Sequence, residues 1–392
     1  MIVLALNSGS SSLKFGIYRA GAAAVDMLVA GEAEMIGEAQ GKFSAHDAKR
    51  RTLVSETAAI ASQQAAIERI GRLLAAIDIP GPEAVGHRIV HGGPALRRHC
   101  LIDAAVMHQL EAAAAFAPLH VPAALSLVRH APAQFPGLPQ VAGFDTSFHA
   151  DLPELARVLP VPSELRAQGI ERYGFHGLSC ESIVRQLGGD LPQRTVIAHL
   201  GHGASVTAVR DGHSVDTSMG LTPTSGVVMS TRTGDLDPGV LVYLMREKNL
   251  KAAQVEALVN ERAGLLGISG VSGDMRRLRE AAASNAQARL AVEMFCYSVR
   301  KQVAAMAAAM EGIDLLVFTG GIGENDAEAR ATICAGLSWV GVGLDTERNR
   351  SVRNPLHDIG AHCAVLVLPA QENEEIARHT VSIASAAVRF PR

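Results

Sequence analysis

The chain has 392 residues, 48% of them hydrophobic and 19% charged, with a formal net charge of −3. That length gives room for two to three domains with sizeable cores, and that composition excludes a disordered or fibrous chain. The near-neutral balance offers no footing for nucleic acid or an anionic membrane, so no nucleic-acid or membrane partner is expected and small ligands are.

Five cysteines, Cys100, Cys180, Cys296, Cys334 and Cys363, are odd in number and form no CxxC pair. They argue against a disulfide framework or zinc knuckle and fit a reducing cytosol. The N-terminal MIVLALN carries no basic leader, and no stretch approaches the eighteen or so apolar residues that span a bilayer, so a cytoplasmic location is expected.

In chain order, Ile2, Leu4 and Leu6 alternate, as do Leu13, Phe15 and Ile17, so two period-2 strands flank the turn NSGSSS. This is a hairpin. A Walker-type loop reads GxxxxGK[ST] and opens a helix, whereas Lys14 falls on the second strand. Residues 56–77 read as an Ala-rich helix. GHRIVHGG (86–93) sets Arg88 on a mainly apolar strand entering a Gly turn. His87 and His91 have i, i+4 spacing but lack the Glu of a zinc motif and sit on a strand, which argues against zinc. Arg88 reads either as a buried ion pair or as a planar fork for a carboxylate or phosphate.

Pro-rich residues 130–140 and 152–165 read as a hinge. Between them, VAGFDTSFH delivers Asp145 at the end of a small apolar run, either as a strand-end catalytic acid or as a cap. YGFHGLS encloses His176 between glycines and aromatics, as a positioned histidine or a satisfied buried one.

TVIAHL, GHGAS and VTAVRDG (195–212) repeat the strand, small-residue turn and strand of the N-terminus. One such repeat at half the chain length points to two related domains, each offering a glycine-rich hairpin to a shared cleft. TRTGDLDPG places Arg232 where it can meet developing negative charge, while Asp235 and Asp237 suit the cap of a helix near Pro238.

IDLLVFTGGIGEND is an apolar strand, a Gly-rich turn and a helix start, either a ligand-approach turn or a tight connection. PAQENEE ends a buried strand with Glu372 at a strand-to-helix junction, beside Glu374 and Glu375 as N-terminal helix charge. Two hairpins, a GGIG turn, two arginines, a loop histidine and isolated acids suit phosphoryl transfer with magnesium.

NSGSSSLKF, GHRIVHGG, APLH, FDTSFH, YGFHG, HLGHG, MSTRTGDLDPG, SGVSGDMR, GGIGEN and PAQENE, in that order, resemble the signature set of the acetate kinases within the short-chain acyl kinase family. The resemblance runs from residue 2 to about 380. It implies an α/β fold of two duplicated actin-like (ribonuclease H-like) domains around a nucleotide cleft, of the superfamily of actin, sugar kinases and heat-shock chaperones. The division expected is 1–145 plus 374–392 for the N-terminal domain, with its C-terminal helix returning, and 146–373 for the nucleotide-binding domain.

The resemblance also implies a homodimer that makes acetyl phosphate and ADP from acetate and ATP, reversibly, with Mg2+ or Mn2+ in its place. By residue, it implies that Asn7 and Glu372 hold the metal, Lys14 meets nucleotide phosphate and Arg88 takes the substrate carboxylate. Asp145 would be the essential acid, with His176 and Arg232 stabilising the transferring phosphoryl group. The nucleotide would lie along His199, Leu200, Gly201, His202 and Gly203, then Asp274, Met275 and Arg276, and Gly321, Ile322, Gly323, Glu324 and Asn325. Val90, Leu119, Phe175 and Pro223 would wall the acyl pocket.

Chemistry constrains these roles. A carboxylic acid is ionised at pH 7, since its pKa is about 4 to 5, so the nucleophile needs no base and Asp145 is expected to orient magnesium or Arg232. Repulsion between two anions is the obstacle that Arg88, Arg232, His176 and magnesium offset. The chain departs from the pattern at His202, where relatives carry Asn, which makes phosphate affinity pH-sensitive near neutrality. It departs also at Met275, where relatives carry an aromatic, and after the His of APLHVP. Val90 favours a two-carbon acid, yet one methylene is worth only about 1–3 kcal/mol, so propionate is expected as a side substrate. A chaperone-like nucleotide module would leave Arg88 and the FDTSFH and YGFHG loops without a purpose.

Overall fold

The computed structural model describes residues 1–9, 11–21, 24–118 and 121–389. They form two compact units, Met1–Ala150 with Gly177–Ser182 and Gln371–Arg392, and Asp151–His176 with Ile183–Ala370.

The first unit is built on an eight-stranded sheet: β1 (Ile2–Ser8), β2 (Leu13–Ala20), β3 (Val25–Glu34), β4 (Lys42–Asp47), β5 (Thr52–Thr57), β6 (Ala84–Ile89), β7 (Cys100–Leu101) and β8 (Gln140–Phe144), in the order β5-β4-β3-β2-β1-β6-β8-β7. The N-terminal hairpin is present, with Asn7 opposite Lys14. Both faces of β1 are buried. Leu4 and Leu6 pack with Phe15, Ile67 and Ile70, while Val3 and Ala5 pack with Leu178, Ile376 and Ala377. Because Leu178 packs there and Gly177 donates its N–H to Asp145 O at 2.8 Å, the short segment Gly177–Ser182 belongs to this unit.

Two expectations are corrected here. The helix expected over 56–77 runs only over Gln63–Ala76, where Ser62 caps it by accepting from Ala65 N at 3.2 Å. Glu56 and Thr57 instead end β5, which pairs with β4 and extends the meander. Part of the Pro-rich hinge, residues 130–134, lies inside the helix Val121–Gln134, which carries Pro132 within it.

The second unit holds β9 (Arg194–Leu200), β10 (Ala204–Arg210), β11 (His213–Thr217), β12 (Leu315–Thr319) and β13 (Ala364–Val367), in the order β11-β10-β9-β12-β13. β9 and β10 are antiparallel, as are β10 and β11, while β9, β12 and β13 run parallel. The run β3-β2-β1-β6-β8 has the same order and the same directions. The duplication expected from the two hairpins is therefore a duplication of five-stranded sheets. Among the described residues, no helix is long and apolar enough to cross a membrane.

Candidate active site

In the first unit, β1, β6 and β8 are adjacent and parallel, so their carboxyl ends lie side by side, where open α/β sheets gather functional groups. Asn7 is next to last in β1, Arg88 next to last in β6, and Asp145 follows β8. Arg88 Nε donates to both Asp145 oxygens at 3.0 Å and Nη2 donates to Oδ2 at 2.5 Å. Its Nη1 donates to Asn7 Oδ1 at 3.1 Å, and Asn7 Nδ2 donates to Glu372 Oε2 at 2.8 Å. Four of the expected residues thus form one hydrogen-bonded network.

Asp145 is 1% exposed. Burial pushes its carboxyl up and Arg88 pulls against it. Burial works against the Arg88 charge, but Asp145 and Glu372 outweigh it and keep the guanidinium protonated. The alternative reading of Asp145 as a cap does not hold, since its oxygens meet Arg88 and the adjoining turn of helix has no side-chain cap. The Asp145 and Glu372 carboxylates and the Asn7 amide oxygen are oxygen donors of the kind a hard divalent cation takes.

The histidines flanking Arg88 have structural partners. His87 Nε2 meets Gln140 Oε1 at 2.8 Å, and burial pushes the ring down to about 4 despite that bond. His91 Nδ1 accepts from Gly93 N at 2.8 Å. Lys14 projects into a groove that Glu32, Lys42, His46, Arg50 and Asn373 also line, and has no part in the Asn7 network. Val90 is buried beyond β6. Leu119 lies outside the described residues.

In the second unit, His176 takes a left-handed backbone (φ 57°) directly before the helix Gly177–Leu187. Its Nδ1 lies 2.9 Å from Ser205 Oγ, and its ring stacks on His199 with centroids 4.2 Å apart. Gly203 faces both His176 and Arg232, because a Cβ there would lie 3.2 Å from His176 Nε2 and 3.3 Å from Arg232 Nη1. Arg232 Nη1 donates to Pro223 O at 3.1 Å, so the expected acyl-pocket proline also holds the arginine. Phe175 is buried beside His176 in the chain.

The hairpin turn of Leu200, Gly201, His202 and Gly203 is closed by Gly201 N donating to Gly203 O at 3.0 Å. Burial and the nearby Arg232 lower the His202 pKa from its usual range, which favours the neutral ring.

Asp274 caps the helix Met275–Ala282 through the N–H groups of Arg276 and Arg277, and its pairing with Arg276 holds its carboxyl down to about 2. The GGIG turn does open a helix, Gly320–Asn325, with Gly320 at φ 76° and Gly320 N donating to Glu324 Oε1 at 3.0 Å. Space beside Gly321 is open, and Asn325 Nδ2 donates back to Gly321 O, while Ile322 and Gly323 complete the turn.

Two supporting residues escaped the sequence reading. Arg279 bridges the helix Met275–Ala282 to Asp326 at 2.8 Å and Glu328 at 2.7 Å, tying two stretches expected at the nucleotide to each other. Arg330 is fully buried and donates to Gly323 O, Glu324 O, Asn349 Oδ1 and Asn349 O at 2.8–3.0 Å. A pattern of charge every third or fourth residue would have marked Arg279; Arg330 reads as an ordinary surface residue of an amphipathic helix.

Two sheets of one strand order, with polar groups gathered at the carboxyl ends of their parallel strands, define an α/β protein of the duplicated actin-like class. The model of the acetokinase family matches residues 2–378, and the chain belongs to that family. It is 42% identical to acetate kinase 2 of Neisseria meningitidis serogroup B, over 98% of each chain. It is also similar to two solved structures at 35% identity, each over 97% of this chain and 99% of the other. These are a propionate kinase from Francisella tularensis (TM-score 0.90) and the acetate kinase of Porphyromonas gingivalis (TM-score 0.85).

Proposed function

We propose that this chain transfers the terminal phosphoryl group of ATP to the carboxylate of acetate, reversibly, giving acetyl phosphate and ADP with a divalent cation. The observation that carries this reading is the Asn7–Arg88–Asp145–Glu372 network at three parallel strand ends of a chain in this family. Its all-oxygen donor set fits Mg2+, which Asn7 and Glu372 would hold, with Mn2+ as a substitute. When bound, such an ion neutralises charge on the phosphates.

Acetate arrives ionised, so no residue has to take its proton. Arg88 supplies the planar cationic fork for its carboxylate. Asp145 orients that fork from two oxygens, which makes it a positioning acid and not a base. Arg232 and His176 are the groups we assign to charge on the transferring phosphoryl, with Gly203 keeping the approach to both free of a side chain. His199 to Gly203, Asp274 to Arg276 and Gly321 to Asn325 are assigned to the nucleotide, Lys14 to its phosphates, and Val90, Leu119, Phe175 and Pro223 to the acyl group.

A second substrate has specific support, the likeness to the Francisella tularensis propionate kinase. A pocket wall discriminates one methylene by only about 1–3 kcal/mol, so propionate turns over more slowly than acetate without being excluded.

We also infer a homodimer. The helix Pro238–Glu247 buries none of its residues, and Val242, Tyr243 and Met245 on it are exposed, as is Tyr297 on the helix Ala286–Ala309 of the same unit. Exposed apolar side chains at that density suit a second copy of the chain. A cytoplasmic location accords with the five free thiols.

A hydroxamate assay with acetate, propionate and butyrate, each with ATP, GTP or pyrophosphate, tests the function. Acetyl hydroxamate with ATP and magnesium is expected, and its absence from every pair would overturn the reading. Light scattering on purified protein should give twice the chain mass; the mass of one chain would overturn the dimer.

A further inference from the structure

His99, Glu181 and His379 belong to the first unit and lie outside the network described above. Glu181 sits between the two rings, with Oε1 3.3 Å from His99 Nε2 and Oε2 2.7 Å from His379 Nε2. The rings tilt against each other with centroids 3.8 Å apart. Their nitrogen and oxygen atoms lie within 4.8 Å of one another, close enough for a transition metal. Hydrogen bonding decides against a metal. His99 Nδ1 accepts the backbone N–H of Phe144 at 3.0 Å. A neutral imidazole that accepts at one nitrogen carries its proton on the other, so Nε2 faces Glu181 as a donor and has no lone pair to offer. Histidines that ligate metals do the reverse, donating the second N–H to a carbonyl or carboxylate.

Phe144 is fully buried, ends β8 and precedes Asp145. β7 pairs with β8 only at Cys100–Ala142 and Leu101–Val141, so the ladder stops short of Phe144. The His99 side chain supplies the acceptor that a longer β7 would have supplied, and a buried N–H without one is costly.

We propose that His99 is a positioning residue whose Nδ1 holds the end of β8, and with it the Asp145 carboxylate, against Arg88, while Glu181 and His379 fix the required tautomer. The inference rests on the role given to Asp145 above. A protonated His99 would set N–H against N–H at Phe144. The charged or titratable groups that act on His99 are Glu181, His379 and Arg98; burial leads the lowering of its pKa, helped by His379 and Arg98 and opposed by Glu181.

Two near-isosteres separate the two contacts of His99. In His99→Asn, Oδ1 stands where Nδ1 stood and keeps the acceptor for Phe144. In His99→Gln, Nε2 stands where the ring Nε2 stood and keeps the donor to Glu181, but the acceptor is gone. With saturating acetate and ATP, H99N is expected to keep kcat within about threefold, whereas H99Q loses about tenfold to a hundredfold, the scale of a small misplacement of a reacting group. The KM for ATP stays within about twofold in both, read alongside melting curves.

Glu181→Gln offers an amide to two N–H donors and loosens the tautomer, so it should lower kcat severalfold and serves if H99Q does not fold. Equal kcat in H99N and H99Q, an unchanged kcat in E181Q, or a loss confined to the ATP KM would overturn the proposal. So would one zinc per purified chain that disappears in His379→Ala. Asp145→Asn is the control: if it stays active the Asp145 reading fails, and if it is inactive while H99N and H99Q match, only the His99 inference fails.

Discussion

The five-stranded sheet of the second unit and the five-strand run β3-β2-β1-β6-β8 of the first share strand order and direction, and they furnish their strand ends differently. Asn7 and His199 occupy the same place, next to last in the first parallel strand of each sheet. In the first unit that place opens a network of an amide, a guanidinium and two carboxylates, each fixed by the next. In the second it opens a stack of imidazoles and a run of glycines, with Arg232 held by a backbone carbonyl. Strand order survives duplication because both faces of the parallel strands are covered and a slip would expose them. Strand-end side chains carry no such burden, so the two copies differ there, with carboxylates, an amide and a guanidinium in one and imidazoles and glycines in the other.

The largest break in that comparison is Asp145→Asn. It removes the carboxylate that orients Arg88 and is expected to lower kcat by on the order of 10^2–10^3, measured by hydroxamate formation.

Next comes acid sensitivity. His87 is buried with its pKa pushed down to about 4 from 6.5. The stability it contributes is complete above pH 6.5 and is lost as pH falls from 6.5 towards 4, by up to about 3 kcal/mol from the size of that shift. Glu181, which hydrogen bonds from His379 and His99 hold down to about 2 against burial, keeps its contribution above 4.5 and loses it as pH falls towards 2. Both residues are in the first unit, so hydrogen exchange at pH 5 should rise first along β6. His87→Gln, which keeps a donor for Gln140, should flatten the slope of urea stability between pH 7 and 5; an unchanged slope would refute the assignment.

A smaller effect sharpens the other side. Gly203→Ala puts a methyl 3.2 Å from His176 Nε2 and 3.3 Å from Arg232 Nη1, so both must give way by a few tenths of an ångström. We expect kcat to fall about tenfold, since small displacements of charge-stabilising groups are felt in the rate, with little change in melting temperature. Smallest is Val90→Ala, which should shift the propionate-to-acetate ratio of kcat/KM severalfold, within the 1–3 kcal/mol or so of one methylene.

Much of this was legible in the chain. Alternating Ile2, Leu4, Leu6 and Leu13, Phe15, Ile17 around small residues sufficed for the first hairpin, and residues 195–212 for the second, because period-2 burial is a local signal. A buried ion pair for Arg88 was one of two readings, with no partner assigned; that its partner is Asp145, expected to orient magnesium or Arg232, needed coordinates, since the two residues are brought together by the parallel pairing of β6 and β8. The helix expected over 56–77 began too early, overlapping β5 at Glu56 and Thr57, because the alanines at 58, 59 and 61 suit a helix as well as the loop that precedes the Ser62 cap. His99, Glu181 and His379 could not be found at all, because their grouping depends on where the C-terminal helix returns to the first sheet.

Arg330 carries a consequence for motion. Its guanidinium joins the end of the helix Gly320–Asn325 to Asn349 in the helix Thr346–Ser351 through buried bonds to side chain and backbone. Neither segment can open without stranding a buried cation, so the two should exchange their amide hydrogens together, as one cooperative unit of local unfolding. The segment assigned to the nucleotide thereby inherits its rigidity from the helix Thr346–Ser351, and its slowest amides should report on Asn349.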